Sequence, residues 1–303
     1  MKKIKSLLFF CSLLAFSPLF SQNTSVEVKT LLQEFAGNGS IFVDTDGKIY
    51  INEYGTANAD ISGTGKHVFV VTPEGEVSTL TEKVSGAVGN VIGSDGTYYF
   101  NNGNSFYNSD FMMRKNGEIK KIATVEGFSG DILMDAKNDC FLIPSYTHPV
   151  LRKVSKDGTV EDYIKDNRLK GVTGITFGEN EVIFVSNFTT GKIYKIENDL
   201  SINELASIPV VYPGYVVGYI TYFEGKIYAT GYGSNKIYQI SMDGEIEVLA
   251  GSGEYNQKDG LGSEASFITP NGIDIDVNRR RLYISQNGNG RPAALRYIDL
   301  PKS

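Results

Sequence analysis

The strongest constraint on the fold is a strand pattern that occurs six times along the chain. Each copy contains a short apolar and aromatic strand after a turn, as in KIYIN at 48–52 and KIYAT at 226–230. The six copies of this strand occupy 48–52, 97–101, 140–144, 182–186, 226–230 and 281–285. Further strands follow them at 67–71, 111–115, 151–155, 192–196, 236–240 and 294–298. Because a fixed period is typical of repeat architectures, the pattern indicates a fold built from similar modules.

The turns and the period together predict a β-propeller. Asp-Gly and Asn-Gly dipeptides follow many of the strands, and such turns favour β-hairpins because they accept a positive φ at low cost. Sheets of about four strands, repeated every 40 to 45 residues or so, are typical of propeller blades. No long stretch shows helical periodicity. The sequence therefore predicts an all-β fold, a six-bladed β-propeller spanning residues 22–303.

The last copy of the repeat has only three strands before the sequence ends near Leu300. The segment 26–35 precedes the first copy and alternates in part between apolar and polar residues. We expect this N-terminal strand to pair into the last blade, which would close the ring and cover an exposed sheet edge.

The first 21 residues have the pattern of a secretory signal peptide. Lys2, Lys3 and Lys5 precede an apolar run at 6–20, and Ser21 provides a small residue before a polar stretch. The run is too short for a membrane anchor and Pro18 interrupts it, since a spanning helix needs about 20 apolar residues. We expect cleavage near Ser21 and a periplasmic or secreted protein without a membrane span.

Charge and missing motifs exclude several functions. The formal net charge of −6 makes nucleic acid an unlikely class of partner. The sequence contains no G-x-S-x-G, no Cys-x-x-Cys, no phosphate-binding G-x-x-x-x-G-K-[ST] and no paired histidines at metal spacing. Cys140, the one cysteine outside the signal segment, lies in the apolar run CFLIP and is predicted to be a core residue.

One segment carries a family resemblance. Residues 249–285 resemble an NHL repeat, with Gly251, Gly253, Asp259, Phe267 and Pro270 in the expected order. More loosely, 37–300 is similar to the SMP-30/gluconolactonase/LRE-like group of six-bladed propellers. That resemblance implies a channel that holds a divalent cation such as Ca²⁺, and its ligands would map to Asn38, Asp131 and Asn271. Asn38 stands where the family has a glutamate.

One face of the predicted propeller carries the candidate functional residues, because the starts of the inner strands and the loops between second and third strands meet there. Asn, Tyr, Ser and Gly dominate these loops, and amides and phenols suit a polyhydroxylated ligand. The same composition is also typical of ordinary loops. The predicted ligand-binding residues are Asn38, Asn101, Tyr107, Tyr146, Asn187, Tyr215, Tyr219, Tyr232, Asn271 and Asn287.

Few residues are available for acid–base catalysis. His148 and Glu53 lie in loops of this face, and Asp131 is near the start of an inner strand, so a histidine with a carboxylate could activate water. The leading hypothesis is an exported binding module for a carbohydrate-like small molecule or a protein partner. The alternative is a metal-dependent hydrolase of the lactonase type, and the sequence leaves open whether the protein is an enzyme.

Overall fold

The computed structural model describes residues 26–54, 66–288 and 293–302. The predicted signal segment therefore lies outside the described residues. Within them the chain forms 25 β-strands and two short 3₁₀ helices, Asn167–Leu169 and Glu179–Glu181. The strands form six antiparallel sheets, five built from strands consecutive in sequence and one that also includes the N-terminal strand, which confirms the predicted six-bladed propeller.

The first three blades follow one another along the chain. Blade 1 contains β2 (Ile41–Val43), β3 (Ile49–Asn52), β4 (Lys66–Val71) and β5 (Val77–Val84). Blade 2 contains β6 (Asn90–Ile92), β7 (Tyr98–Asn102), β8 (Asn108–Lys115) and β9 (Glu118–Glu126). Blade 3 contains β10 (Leu133–Asp135), β11 (Cys140–Pro144), β12 (Val150–Ser155) and β13 (Val160–Lys165).

The remaining blades repeat this order, and the last one also uses the N-terminal strand. Blade 4 contains β14 (Val172–Phe177), β15 (Ile183–Asn187), β16 (Lys192–Ile196) and β17 (Ile202–Ser207). Blade 5 contains β18 (Ile220–Phe223), β19 (Lys226–Gly231), β20 (Lys236–Ser241) and β21 (Ile246–Ala250). Blade 6 contains β23 (Pro270–Asp276), β24 (Arg281–Gln286), β25 (Ala293–Asp299), β1 (Glu27–Phe35) and β22 (Gly260–Leu261).

The ring closes as the sequence predicts. Strand β1 pairs antiparallel with β25, and on its other edge with the two-residue strand β22. Arg296 of β25 is fully buried and donates to the carbonyls of Ser266 and Lys258 at 3.0 and 2.9 Å and to Asp259 at 2.6 Å. Asp259 also accepts from the Thr30 hydroxyl at 2.7 Å. The NHL-like segment thus holds both strands that close the ring.

Apolar side chains pack between neighbouring blades rather than in one central core. Between blades 2 and 3, the rings of Tyr99 and Phe141 have centroids 4.5 Å apart, and Phe111 packs on the same Phe141 ring at 4.8 Å. Cys140 is buried within β11, in agreement with its predicted core role. The middle of the ring is left as a channel, which the six inner strands β2, β6, β10, β14, β18 and β23 surround.

The starts of the inner strands touch one another through glycines. A Cβ atom on Gly89 would lie 2.6 Å from the carbonyl oxygen of Gly130, and one on Gly218 would lie 2.7 Å from that of Asn271. Such distances leave no room for a side chain, so only glycine allows this close approach of backbones. Gly89 and Gly218 are therefore packing requirements of the ring.

Candidate functional site

The propeller has two faces with different chemistry. We call the face that carries the loops between second and third strands, and the links between blades, the upper face. The face that carries the turns between first and second strands is the lower face. The Asp-Gly turns at Asp46, Asp95 and Asp157 lie on the lower face, where their carboxylates accept backbone N–H groups two residues further on in the cases of Asp95 and Asp157. These turns are structural.

A continuous layer of aromatic rings lies on the upper face. Its first centre is Phe128, in the link between blades 2 and 3. The Phe128 ring contacts Tyr54, Phe106 and Tyr146, with centroids 6.2, 6.3 and 6.0 Å away. Tyr54 and Phe106 belong to the loops of blades 1 and 2, so one ring joins three neighbouring blades.

The second centre of the layer is Phe188, which follows β15 in blade 4. Its ring contacts Tyr146 at 6.2 Å, Tyr215 at 5.7 Å and Tyr232 at 5.2 Å, all with nearly perpendicular planes. Tyr212 continues the layer at 5.8 Å from Tyr215. The aromatic layer is defined by these eight residues, Tyr54, Phe106, Phe128, Tyr146, Phe188, Tyr212, Tyr215 and Tyr232. It extends across blades 1 to 5.

Several side chains in and around the layer are strongly exposed. Phe106, Tyr212 and Tyr215 are 68%, 62% and 51% exposed, and Val210 and Val211 beside Tyr212 are 55% and 64% exposed. Large apolar side chains clustered at a surface mark a site of interaction more often than scattered ones do. Burial raises the pKa of Tyr232 to about 12, so its phenol stays a neutral hydrogen-bonding group at physiological pH.

The predicted tyrosines occupy different depths. Tyr146, Tyr215 and Tyr232 are members of the aromatic layer, whereas Tyr107 is 83% exposed and contacts no other described ring. Tyr219 is only 4% exposed and lies beneath the layer, in an apolar cluster against which Tyr54 and Phe128 pack. Phe128, which sequence analysis did not single out, connects the layer. Its signal was a phenylalanine directly after the blade-linking Gly127.

The predicted asparagines mostly bind backbone groups. Asn101 accepts from the Val88 and Gly89 N–H groups and donates to the Gly130 carbonyl, so it links blades 2 and 3. Asn187 donates to the carbonyls of Arg168 and Lys170 and accepts from two N–H groups of its own loop. Asn287 is half-buried at the end of β24. The side chains of Asn101 and Asn187 thus hold the loops that present the aromatic layer.

Two of the predicted catalytic residues have local partners on the upper side of their blades. Glu53 contacts the Nδ1 atom of His67 at 2.7 Å and the Lys66 ammonium at 3.3 Å. His148 contacts the Thr147 hydroxyl at 3.0 Å and lies 3.9 Å from the Glu126 carboxylate. Among the described residues, no hydrogen bond joins Glu53, His148 and Asp131 to one another. Their catalytic role stays a prediction.

Asp131 lies in the channel, above a cavity of about 350 Å³ to which all six inner strands contribute. Its carboxylate accepts from the Ser40 hydroxyl at 2.7 Å, which reaches it from blade 1. A second carboxylate, Asp274 of blade 6, lines the same cavity and accepts from Val43 N at 2.8 Å and from the Thr221 hydroxyl at 2.9 Å. The lining extends from Asp131, at the end of the link between blades 2 and 3, to Ser94 and Ala136 of lower-face turns, and no ring of the aromatic layer belongs to it.

Burial dominates the electrostatics of these two carboxylates. Burial, with a smaller contribution from the nearby Asp274 charge, raises the pKa of Asp131 to about 7, although hydrogen bonds from Ser40 and from backbone groups act in the opposite direction. Burial likewise raises the pKa of Asp274 to about 6, although three hydrogen bonds work in the opposite direction. Sequence analysis missed Asp274. Its signal was an acidic residue in the middle of an inner strand, where polar side chains can face the channel.

The residues predicted to hold a divalent cation fit one poorly. Asn38 accepts from Tyr54 N at 2.8 Å through its side-chain oxygen, and Asn271 donates from its side-chain nitrogen to the Asn38 carbonyl at 2.7 Å. These contacts join blades 6 and 1. Ca²⁺ prefers about six to eight oxygen ligands that include carboxylates, and of these three residues only Asp131 supplies one. Within the described ranges, no three His, Cys, Asp or Glu side chains stand close enough to share a metal ion.

Comparison with protein-family models and with curated protein sequences gives no match. Solved structures show a similar fold. An auxiliary nutrient binding protein from Bacteroides thetaiotaomicron has a TM-score of 0.71 at 14% identity, over 90% of this chain and 76% of that one. A gluconolactonase from Xanthomonas campestris gives 0.61 at 13% identity, over 91% and 90%. Virginiamycin B lyase from Staphylococcus aureus gives 0.62 at 14% identity, over 91% and 99%.

These similarities define the class to which the chain belongs by fold, the six-bladed β-propellers. Nutrient-binding proteins and gluconolactonases both occur among the neighbours, so the fold is compatible with a binding module and with a lactonase-like enzyme. Among the described residues, no helix has the length and apolar character needed to cross a membrane.

Proposed function

We propose that this protein is an exported binding module whose aromatic layer binds a carbohydrate-like ligand. The observation that carries the proposal is the layer itself, in which eight rings from five consecutive blades or their links are in contact and several are exposed. Flat rings with phenol groups at their edges can stack on the apolar face of a sugar and hydrogen-bond to its hydroxyls. The uncharged surface suits a neutral ligand.

The rigidity of the layer supports a binding role. Asn101 and Asn187 fix its loops through backbone hydrogen bonds, and Phe128 and Phe188 hold neighbouring rings at their edges. A preformed surface loses little conformational entropy when a ligand binds. The side chains that lie exposed at the layer, above all Tyr215 and Tyr212, are therefore expected to carry most of the affinity.

A panel of neutral oligosaccharides tests the proposal, with Tyr215→Ala and Tyr215→Phe as a matched pair. If ring stacking carries the affinity, the alanine variant should bind about ten-fold more weakly while the phenylalanine variant keeps most of the binding. Ile119→Ala, an exposed apolar side chain on the outer strand β9, serves as the control and should bind like the parent. Oligosaccharide binding that is equal in all variants, or absent, would exclude the layer as a glycan site. If a protein binds instead, and its binding depends on Tyr215 in the same way, the ligand of the layer is a protein rather than a glycan.

We also propose that the protein is a member of the NHL and SMP-30-like propellers and that it reaches the periplasm or the exterior. The glycine-rich segment 249–285 supports the first statement and the basic and apolar residues 1–21 support the second. N-terminal sequencing of the protein from the periplasm and the medium tests export. A mature N-terminus near Ser21 is expected, and an intact Met1 in the cytoplasm alone would contradict it.

A hydrolase is the second candidate, favoured by one observation. Asp131 lies over a cavity with its pKa raised to about 7, a value suited to a general acid or base at neutral pH. Purified protein assayed with a lactone panel, with and without a chelator, tests this candidate. Turnover that disappears in Asp131→Asn and in chelator would support a metal-dependent lactonase, and no turnover in the parent protein would reject it.

A further inference from the structure

Within the part of the chain that the structure describes, the channel cavity is lined by carboxylates without a positively charged side chain. Among the described residues, its lining contains two carboxylates, Asp131 and Asp274, and no Lys, Arg or His. The donors that reach these carboxylates are all neutral, namely the hydroxyls of Ser40 and Thr221 and backbone N–H groups. Both residues are only partly exposed, and a carboxylate with restricted access to water and no countercharge is unfavourable unless it is protonated or paired.

A second, independent feature of the cavity wall is an unused hydrogen-bond acceptor. Asn90 lines the cavity and is only 2% exposed. Its side-chain nitrogen donates to the Ser40 carbonyl at 3.1 Å, whereas its side-chain oxygen has no hydrogen-bond partner. Buried polar atoms are usually paired, so this unpaired acceptor on a residue of the cavity wall points to a missing donor.

The rest of the lining indicates what kind of donor fits. Aliphatic side chains surround the polar groups, among them Ile41, Val91, Ile132 and Ile273. The volume of about 350 Å³ is at the lower end of the range of small-molecule sites, roughly 300–1,000 Å³. A bare divalent cation would need more oxygen ligands than two carboxylates and one amide supply, and it gains nothing from aliphatic walls.

We propose that this cavity binds a small organic cation, a protonated primary amine on a short alkyl chain, with its ammonium group paired to Asp131 and Asp274. An ammonium group offers three N–H donors, which suits a cavity lined by two carboxylates and an amide. The alkyl chain then lies against the isoleucine and valine side chains. No residue of the aromatic layer lines this cavity, so the site is separate from the layer.

Calorimetric titration of the purified protein with butylammonium and with 1,4-diaminobutane tests the proposal, at about pH 8, where both carboxyls are ionised. Saturable binding of at least one amine is expected. Asp274→Asn and Asp131→Asn should each weaken it at least about ten-fold, because each removes one countercharge while keeping the shape of the side chain. Circular dichroism of both variants checks that they are folded.

Two controls make the result decisive. Asp95→Asn removes an exposed carboxylate on the lower face, in the turn next to Ser94, and should bind the amines like the parent. The neutral isostere 1-butanol should bind much more weakly than butylammonium. Equal binding of 1-butanol would show an apolar cavity only, binding of Ca²⁺ without the amines would show a metal site, and no amine binding would show no site. Each of these results overturns the proposal without affecting the glycan experiment.

Discussion

The upper face and the channel of this propeller differ in chemistry although the same repeat builds both. The upper face exposes neutral rings on a broad surface, and Phe106, Tyr212 and Tyr215 are each more than half exposed. The channel encloses two carboxylates, and burial raises the pKa of both. Loops and blade links supply the residues of the first region, whereas the inner strand β23 supplies Asp274 and the segment just before β10 supplies Asp131 in the second. A repeat that fixes the strands thus leaves two independent places where side chains can vary.

Both regions depend on the closed ring, so removing β1 should have the largest effect. Deleting residues 26–35 exposes the edge of β25 and removes the Thr30 partner of Asp259. We expect loss of the cooperative thermal transition seen by circular dichroism, together with rapid proteolysis, because an uncovered sheet edge is unstable. Glu27→Ala, a change at an exposed side chain of the same strand, should keep the transition. A deletion variant that still unfolds cooperatively would show that the sixth blade needs only three strands.

The aromatic layer should be the more sensitive of the two regions to truncation of a side chain. Phe188→Ala removes three ring contacts from a half-buried position. We expect the free energy of unfolding to fall by about 2 kcal/mol, less than for a fully buried phenylalanine. Urea denaturation measures the change. An effect below that of Phe106→Ala, whose ring is 68% exposed and contacts only Phe128 among the described rings, would contradict the central place of Phe188 in the layer.

The channel should instead be the region that responds to pH. A raised carboxyl pKa means that the folded protein holds its proton more tightly than the unfolded chain does, so the contribution to stability is present at low pH and lost as pH rises from about 4 to about 7. Asp274→Asn should therefore raise the free energy of unfolding by about 1–2 kcal/mol at pH 8 and by less at pH 5.

Denaturation of parent and variant across this pH range is the measurement. Asp95→Asn is the comparison, because a neighbouring lysine lowers the pKa of Asp95 rather than raising it. A gain in stability for Asp274→Asn that is the same at pH 5 and pH 8 would show that the carboxyl is not titrating in this window.

The smallest effect on stability is expected for a substitution at Tyr107, which lies outside the aromatic layer. This substitution tests where the binding surface ends. Its side chain is 83% exposed and contacts no described ring. Tyr107→Ala should change the free energy of unfolding by less than about 0.5 kcal/mol. If it nevertheless weakens oligosaccharide binding as much as Tyr215→Ala does, the binding surface extends beyond the layer. Thermal denaturation and the oligosaccharide panel together decide this.

The repeat predicted most of the fold, because hairpin turns and alternating strands are local signals. The second strand of every blade lies within one residue of its predicted position, and the N-terminal strand pairs where it was expected. Contacts between blades were harder to predict from the sequence. Phe128 and Asp274 meet their partners across blade boundaries, and no local pattern states which loops or inner strands will face each other. Asn101 illustrates the converse, since its amide looked available to a ligand but binds the adjacent blade.

The joint in blade 6 has a consequence for the order of assembly. The Thr30 hydroxyl donates to Asp259, which lies 229 residues further along the sequence. The same carboxylate pairs with Arg296 of β25. Five blades are each built from a contiguous segment of the chain. The sixth blade needs the N-terminal strand β1 as well as the strands near the C-terminus. Such a distant contact carries a large loop-closure cost and makes completion slow. We therefore expect the contacts among Thr30, Asp259 and Arg296 to form after the five blades that are contiguous in sequence.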